Sequence, residues 1–176
     1  MRLLAIVVMA ASAIAFTGLR TAQGESPATT PHEEPPSSCP ITKPSDPPFV
    51  PPVPLQASGV TWIGSAKLWT FVPADGVWRA LPHYTPEDSR YRQKVFWWSE
   101  RFDWRTENPP DLTITGQRLD GASIPLSSDP NANAGWTNDR NHPFMVDGIF
   151  IPTLGCWKIT GHYKNEELSY VVWVTK

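Results

Sequence analysis

The sequence has no stretch in which apolar residues recur at the three- to four-residue spacing of an amphipathic helix. Short runs of β-branched and aromatic residues instead alternate with turn-forming residues, which predicts an all-β fold. The chain also has no run of lysine or arginine, and its formal net charge is −2. Because nucleic acids and anionic membranes are bound by clustered positive charge, we expect neither as a partner.

Catalytic and metal-binding signatures are also scarce. The sequence contains no Gly-x-Ser-x-Gly elbow and no phosphate-binding glycine loop, and its histidines show no metal-ligand spacing. The loop that begins at Asp129 has the alternating oxygen ligands of an EF-hand but lacks the required glycine and glutamate. An irregular calcium site that uses Asp129, Asn131 and Asp139 remains an alternative hypothesis. Otherwise we predict no metal, no cofactor and no enzymatic activity.

The N-terminus has the pattern of a secretory signal. A charged start, Met1–Arg2, precedes an apolar run over 3–16, which is shorter than the roughly 20 residues of a membrane span. Small residues at 22 and 24 predict cleavage there, so that residues 1–24 are the signal peptide and an uncleaved anchor is the alternative. Cleavage leaves 13 of the 15 basic residues against 17 acidic ones, a net charge of −4. We therefore expect an exported protein (periplasmic, cell-surface or secreted) with no membrane span after cleavage.

Prolines divide the rest of the chain. Eleven of the 20 prolines lie between residues 25 and 57. Proline lacks an N–H and restricts the residue before it, so this segment should be extended and partly polyproline II. We assign residues 25–52 to a proline-rich linker and 53–176 to one domain with one core.

The chain has only two cysteines, Cys39 and Cys156. In an oxidising compartment they most simply form one disulfide. Strand alternation places Cys156 on the opposite face from Trp157 and Ile159, which suits a bond to a linker outside the sandwich. A catalytic thiol paired with His162 is disfavoured, because six residues of strand separate the two by about 20 Å.

Seven strand-length segments indicate an immunoglobulin-like antiparallel β-sandwich preceded by the extended proline-rich segment. The first two should form a hairpin around Pro73–Gly76, and the last two form a closing hairpin. The segments are 67–72, 77–81, 92–99, 111–119, 144–151, 156–163 and 168–176.

Several short motifs distributed over the domain resemble a group of uncharacterised exported bacterial proteins with a β-sandwich domain. The most distinctive is Gly155-Cys156-Trp157 before the last hairpin. The others are Cys39-Pro40, Gly64 with Lys67-Leu68-Trp69, Lys94 before Trp97-Trp98, Leu112-Thr-Ile-Thr-Gly116 with Arg118-Leu-Asp120, and Val171-Val-Trp-Val174. The resemblance implies export and a β-sandwich, and it assigns no activity.

Nine tryptophans are the one compositional excess that can carry a function. Tryptophan serves both as core filling and as a platform for sugar rings. Trp97 and Trp98 are neighbours on one strand and must face opposite ways, while Trp104 and Trp136 fall in loops. These four are the candidate ligand-binding residues. The sequence favours a structural or protein-interaction module with a cell-envelope protein as partner, and a carbohydrate-binding module that recognises a glycan is the alternative.

Overall fold

A computed structural model describes residues 34–53, 57–129, 132–136 and 141–176. The predicted signal peptide and the start of the predicted linker lie outside these residues. The described part is all-β, as predicted, and contains no helix. It has ten strands rather than about seven: β1 (Val60–Ser65), β2 (Leu68–Pro73), β3 (Val77–Arg79), β4 (Tyr91–Trp98), β5 (Leu112–Arg118), β6 (Ser127–Ser128), β7 (Asn133–Gly135), β8 (Phe144–Ile151), β9 (Gly155–Tyr163) and β10 (Glu166–Thr175).

The strands form two sheets. One sheet has the order β1-β2-β4-β8-β6, with β7 also paired to β8, and the other has the order β3-β10-β9-β5. We call them the six-stranded and the four-stranded sheet. All pairs are antiparallel except β3 with β10, which run parallel. This arrangement is an all-β sandwich, and the immunoglobulin-like topology stays a prediction.

The core lies between the two sheets and follows strand alternation. On β4, Val95 and Trp97 face inward with Met145 and Ile149 of β8. On β9, Trp157, Ile159 and Tyr163 face the same core, and all three are fully buried. Gly161 lies between them in sequence and has the Trp97 indole directly above it. The absence of a side chain at Gly161 therefore makes room for the largest ring in the core.

The closing hairpin is confirmed. All of β9 pairs with β10 up to Val174, and a two-residue turn, Lys164-Asn165, joins the two strands. Cys156 is paired with Trp173 of β10, and both side chains lie on the outer face of the four-stranded sheet. There Cys156 is joined to Cys39 by the predicted disulfide, which closes a separation of 117 residues.

The predicted first hairpin is wrong. The segments on either side of Pro73–Gly76 belong to different sheets, because β2 pairs with β1 and β4 whereas β3 pairs with β10. The turn therefore carries the chain from one sheet to the other. The true hairpin is β1 with β2, joined by residues 66–67.

Part of the proline-rich linker packs on the sandwich and belongs to the same compact unit. After Cys39, Ile41 covers Gly76, and the Thr42 N–H donates to the Val171 carbonyl at 3.0 Å. The Val171 N–H in turn donates to the Thr42 hydroxyl at 2.7 Å. Further along, the ring of Phe49 lies 6.4 Å from that of Trp69. The linker is therefore held on the domain by the Cys39–Cys156 disulfide, by two hydrogen bonds between Thr42 and Val171, and by the ring contact of Phe49 with Trp69.

Candidate interaction surface

The outer face of the six-stranded sheet is unusually aromatic. Its rings come from four strands: Trp62 from β1, Phe71 from β2, Phe96 and Trp98 from β4, and Phe144 from β8. Each lies on the opposite side of its strand from the inter-sheet core, because its sequence neighbours face inward. We call these five residues the aromatic face.

The rings of the aromatic face contact one another. Trp98 lies at the centre, 5.5 Å from Trp62, 6.0 Å from Phe71 and 5.4 Å from Phe144 between ring centroids. Phe71 and Phe96 stack nearly parallel at 5.9 Å, and Trp62 meets Phe71 edge to face at 5.3 Å. Such distances and angles are those of favourable aromatic pairs. The surrounding rings cover Trp98, while Trp62, Phe71, Phe96 and Phe144 remain half-buried.

The candidates Trp97 and Trp98 do face opposite ways on β4, but neither is exposed. Trp97 is fully buried in the core, and Trp98 retains 4% of its surface beneath its aromatic neighbours. Neither ring can offer its face to a ligand without rearrangement. The accessible part of this surface is formed by the residues around Trp98, which were not among the predicted candidates.

The candidates Trp104 and Trp136 come together from two separate loops. Their ring centroids are 5.2 Å apart and their planes are nearly perpendicular, at 87°. Trp104 packs partly against the core, Trp136 is 41% exposed, and the Arg105 guanidinium lies over the Trp104 ring. Since the two planes are perpendicular, they cannot act as one flat platform, and Trp136 alone presents a substantial ring surface.

Positive charge borders the aromatic face along β4. Arg92 and Lys94 precede Phe96 and Trp98 on the same side of this strand. The Arg92 guanidinium lies over the Tyr84 ring, and Lys94 is exposed. The Asp129 carboxylate also approaches this margin, because it and the Arg92 guanidinium both lie near Gly148 of β8. The outer face is therefore apolar with charged groups along its margin.

The calcium candidates are only partly described. Asn131 and Asp139 lie outside the described residues. Asp129 follows β6 and its N–H donates to the Gly148 carbonyl at 2.7 Å. The nearby Asp147 is buried, and one of its carboxylate oxygens has no hydrogen-bond partner. Burial raises the pKa of Asp147 to about 6, and the negative charge of Asp129 adds to this increase.

A second polar cluster has a structural role. The Tyr163 hydroxyl donates to Glu107 at 2.8 Å, and the Lys164 ammonium lies 3.0 Å from the same carboxylate oxygen. Despite partial burial, hydrogen bonds from Lys164 and Tyr163 hold the pKa of Glu107 below its ordinary value. The other carboxylate oxygen accepts the Asp111 N–H. These bonds hold the loop before β5 to the closing hairpin and leave Glu107 ionised, so it is unsuited to act as an acid.

Within the described ranges, no group of three or more His, Cys, Asp and Glu side chains is placed to hold a metal ion. The same part of the chain contains no helix long and apolar enough to cross a membrane. No protein-family model, curated protein or solved structure matches the sequence.

Sequence reasoning missed this face because β1 was not recognised as a strand. Glycines flank and interrupt Val60–Ser65, and glycine is unfavourable in strand interiors. The available signal was alternation: Trp62, Phe71, Phe96 and Trp98 all occupy the positions opposite to the core residues of their strands. Only one face of such a strand can pack in the core, so apolar residues on the opposite face indicate a second contact surface.

Proposed function

We propose that this chain is an exported, non-enzymatic interaction module that binds a protein partner through its aromatic face. The observation that supports the proposal is the contiguity of four half-buried rings on one side of the six-stranded sheet. An aromatic side chain offers about 150–250 Å² of surface and each of these rings keeps at most about a third of it exposed, so the four together leave up to roughly 200–350 Å² in contact with water. The largest apolar patch on a typical monomeric protein covers about 300–600 Å² and is often functional, and the upper value for these rings reaches the lower end of that range.

Export is part of the proposal because the Cys39–Cys156 disulfide is compatible with an oxidising compartment. The disulfide also holds the linker to the sandwich beside Trp173. The module would be presented in the periplasm, at the cell surface or outside the cell, where an envelope protein is an available partner.

A carbohydrate-binding module is the alternative function, and Trp136 is the residue that would carry it. Its exposed ring can stack on one sugar, and the adjacent Arg105 could accompany an acidic one. The perpendicular arrangement with Trp104 provides one ring surface rather than the extended platform of a polysaccharide site. The aromatic face offers the larger continuous apolar area, which favours the protein partner.

The experiment compares three forms of the mature chain from residue 25 as immobilised bait for cell-envelope extract. Trp62→Thr removes one ring of the aromatic face while keeping a β-branched residue on β1. Val60→Thr is the matched control, because Val60 lies on the same strand and the same face. We expect the wild type and Val60→Thr to retain the same protease-sensitive partner and Trp62→Thr to lose it.

A glycan readout separates the alternatives. Titration of the wild type with soluble polysaccharides should leave tryptophan emission unchanged if the partner is a protein. A saturable change that Trp136→Ala abolishes and Trp62→Thr preserves would instead assign carbohydrate binding to the Trp104–Trp136 pair and contradict the proposal.

A further inference from the structure

The chain's own linker shows which kind of segment the outer sheet face accommodates. We propose that the open part of the aromatic face binds an extended, proline-rich apolar segment of the partner. This inference rests on the proposed function and adds the chemical class of the partner. It starts from the contact that the structure already contains between Phe49 and Trp69.

Trp69 belongs to the same surface as the aromatic face. It lies two residues before Phe71 on β2, and it pairs directly with Trp98 across the sheet. With Phe49 against it, Trp69 retains only 2% of its surface. Phe49 is itself enclosed in sequence by Pro47-Pro48 and Pro51-Pro52. A proline-flanked aromatic residue is therefore already docked at one edge of this surface, in cis.

The physical chemistry of proline-rich segments fits the rest of the surface. Such a segment is largely preformed as polyproline II, so it loses little conformational entropy on binding and presents prolines that pack well on aromatic rings. Proline also lacks an N–H, which reduces the polar surface that must be desolvated against an apolar face. A partner of this class is bound mainly through ring contacts, which is what Trp62, Phe71, Phe96 and Phe144 provide.

The width of the aromatic face also matches the length of a short polyproline II segment. The four half-buried rings come from β1, β2, β4 and β8, three strand spacings apart, which is about 14 Å at roughly 4.8 Å per spacing. Polyproline II rises about 3.1 Å per residue, so five residues cover this distance. Directly after Phe49 the linker turns toward water at Val50, which is 78% exposed, and the four rings keep part of their surface accessible. The surface beyond Trp98 is left for a second segment.

The test uses a synthetic peptide with the sequence of residues 44–53 added in trans to the mature chain. Binding is followed by NMR through the indole N–H signals, with each assigned by substitution. We expect saturable shifts at Trp62 and Trp98, an affinity at least tenfold weaker for Trp62→Thr, and an unchanged affinity for Val60→Thr. A second peptide with alanine at positions 47, 48, 51 and 52 should bind at least tenfold more weakly, because it loses the preformed conformation.

Three results would overturn the inference. One is the absence of any shift at millimolar peptide. Another is equal binding of the proline and alanine peptides, which would indicate unspecific apolar contact. The third is a shift confined to Trp69, which would mean that the peptide only replaces the chain's own Phe49. If capture of the protein partner from envelope extract still depends on Trp62 while the peptide causes no shift, the proposed function stands and a proline-rich partner segment is excluded.

Discussion

Replacing Gly161 with alanine tests the inter-sheet packing most directly. A Cβ atom added at Gly161 would lie 2.5 to 2.7 Å from three carbons of the Trp97 ring. Ordinary carbon contacts are about 3.5–4.0 Å, so the ring or the strand must move by about 1 Å. Trp97 is fully buried, and the ring of Tyr170 lies 5.9 Å away. Because the ring has little room, overpacking should cost about 1–3 kcal/mol of the free energy of unfolding.

Urea unfolding followed by circular dichroism measures this loss, and Gly121→Ala is the matched control. At Gly121 the added Cβ would meet nothing closer than 3.5 Å, which is ordinary contact. The same chemical change there should alter stability by less than about 0.5 kcal/mol. The difference between the two variants isolates the contact with Trp97 from the general effect of glycine on the unfolded chain.

A double-mutant cycle completes the test. Trp97→Phe alone should be destabilising, because it leaves a cavity in the core. Combined with Gly161→Ala, it provides the space that the new methyl group needs, so the two losses should be less than additive by at least about 0.5 kcal/mol. Wild-type stability of Gly161→Ala, or strict additivity in the cycle, would refute the contact and with it the stacking of β9 on β4.

Three further predictions concern the disulfide, a buried carboxyl group and the docked linker. Replacing Cys39 and Cys156 with alanine should lower the free energy of unfolding by up to about 5 kcal/mol, given the 117-residue separation, and the urea midpoint checks this. Because the pKa of Asp147 is raised to about 6 from an ordinary 3.8, the folded state holds a proton that the unfolded chain releases. Stability should fall as pH rises from about 4 to 6, and Asp147→Asn should remove that slope and be more stable at pH 7 by up to about 3 kcal/mol. Phe49→Ala should expose Trp69 and increase acrylamide quenching of tryptophan emission, and unchanged quenching would contradict docking of the linker.

The closing hairpin and the disulfide could be predicted because their signals are local. Alternation along β9 assigns Trp157, Ile159 and Tyr163 to one face and Cys156 to the other, and the structure has this arrangement. Pairing two cysteines requires no knowledge of topology. The strand at 144–151 was also predicted with its observed bounds, since turn-forming residues lie at both ends.

The predictions that needed non-local information were weaker. An Asp-Gly turn is equally compatible with a hairpin and with a crossing between sheets, so the sequence around Gly76 could not show that β3 pairs with β10. The depth of Trp98 depends on Trp62, Phe71 and Phe144, which come from three other strands. Alternation shows that Trp98 leaves the core, but only the strand order shows what covers it.

The two outer faces of the sandwich differ in the kind of side chain they carry. On β9 of the four-stranded sheet, Lys158, Thr160 and His162 point away from the core, as is usual for an antiparallel sheet with one face in water. The six-stranded sheet shares the same core and could carry a similar polar surface, yet it carries rings on four strands. Those rings keep up to about a third of their surface exposed, so the isolated domain gains most but not all of the stabilisation available from their burial. The proposed partner would cover the part of these rings that the isolated domain leaves exposed.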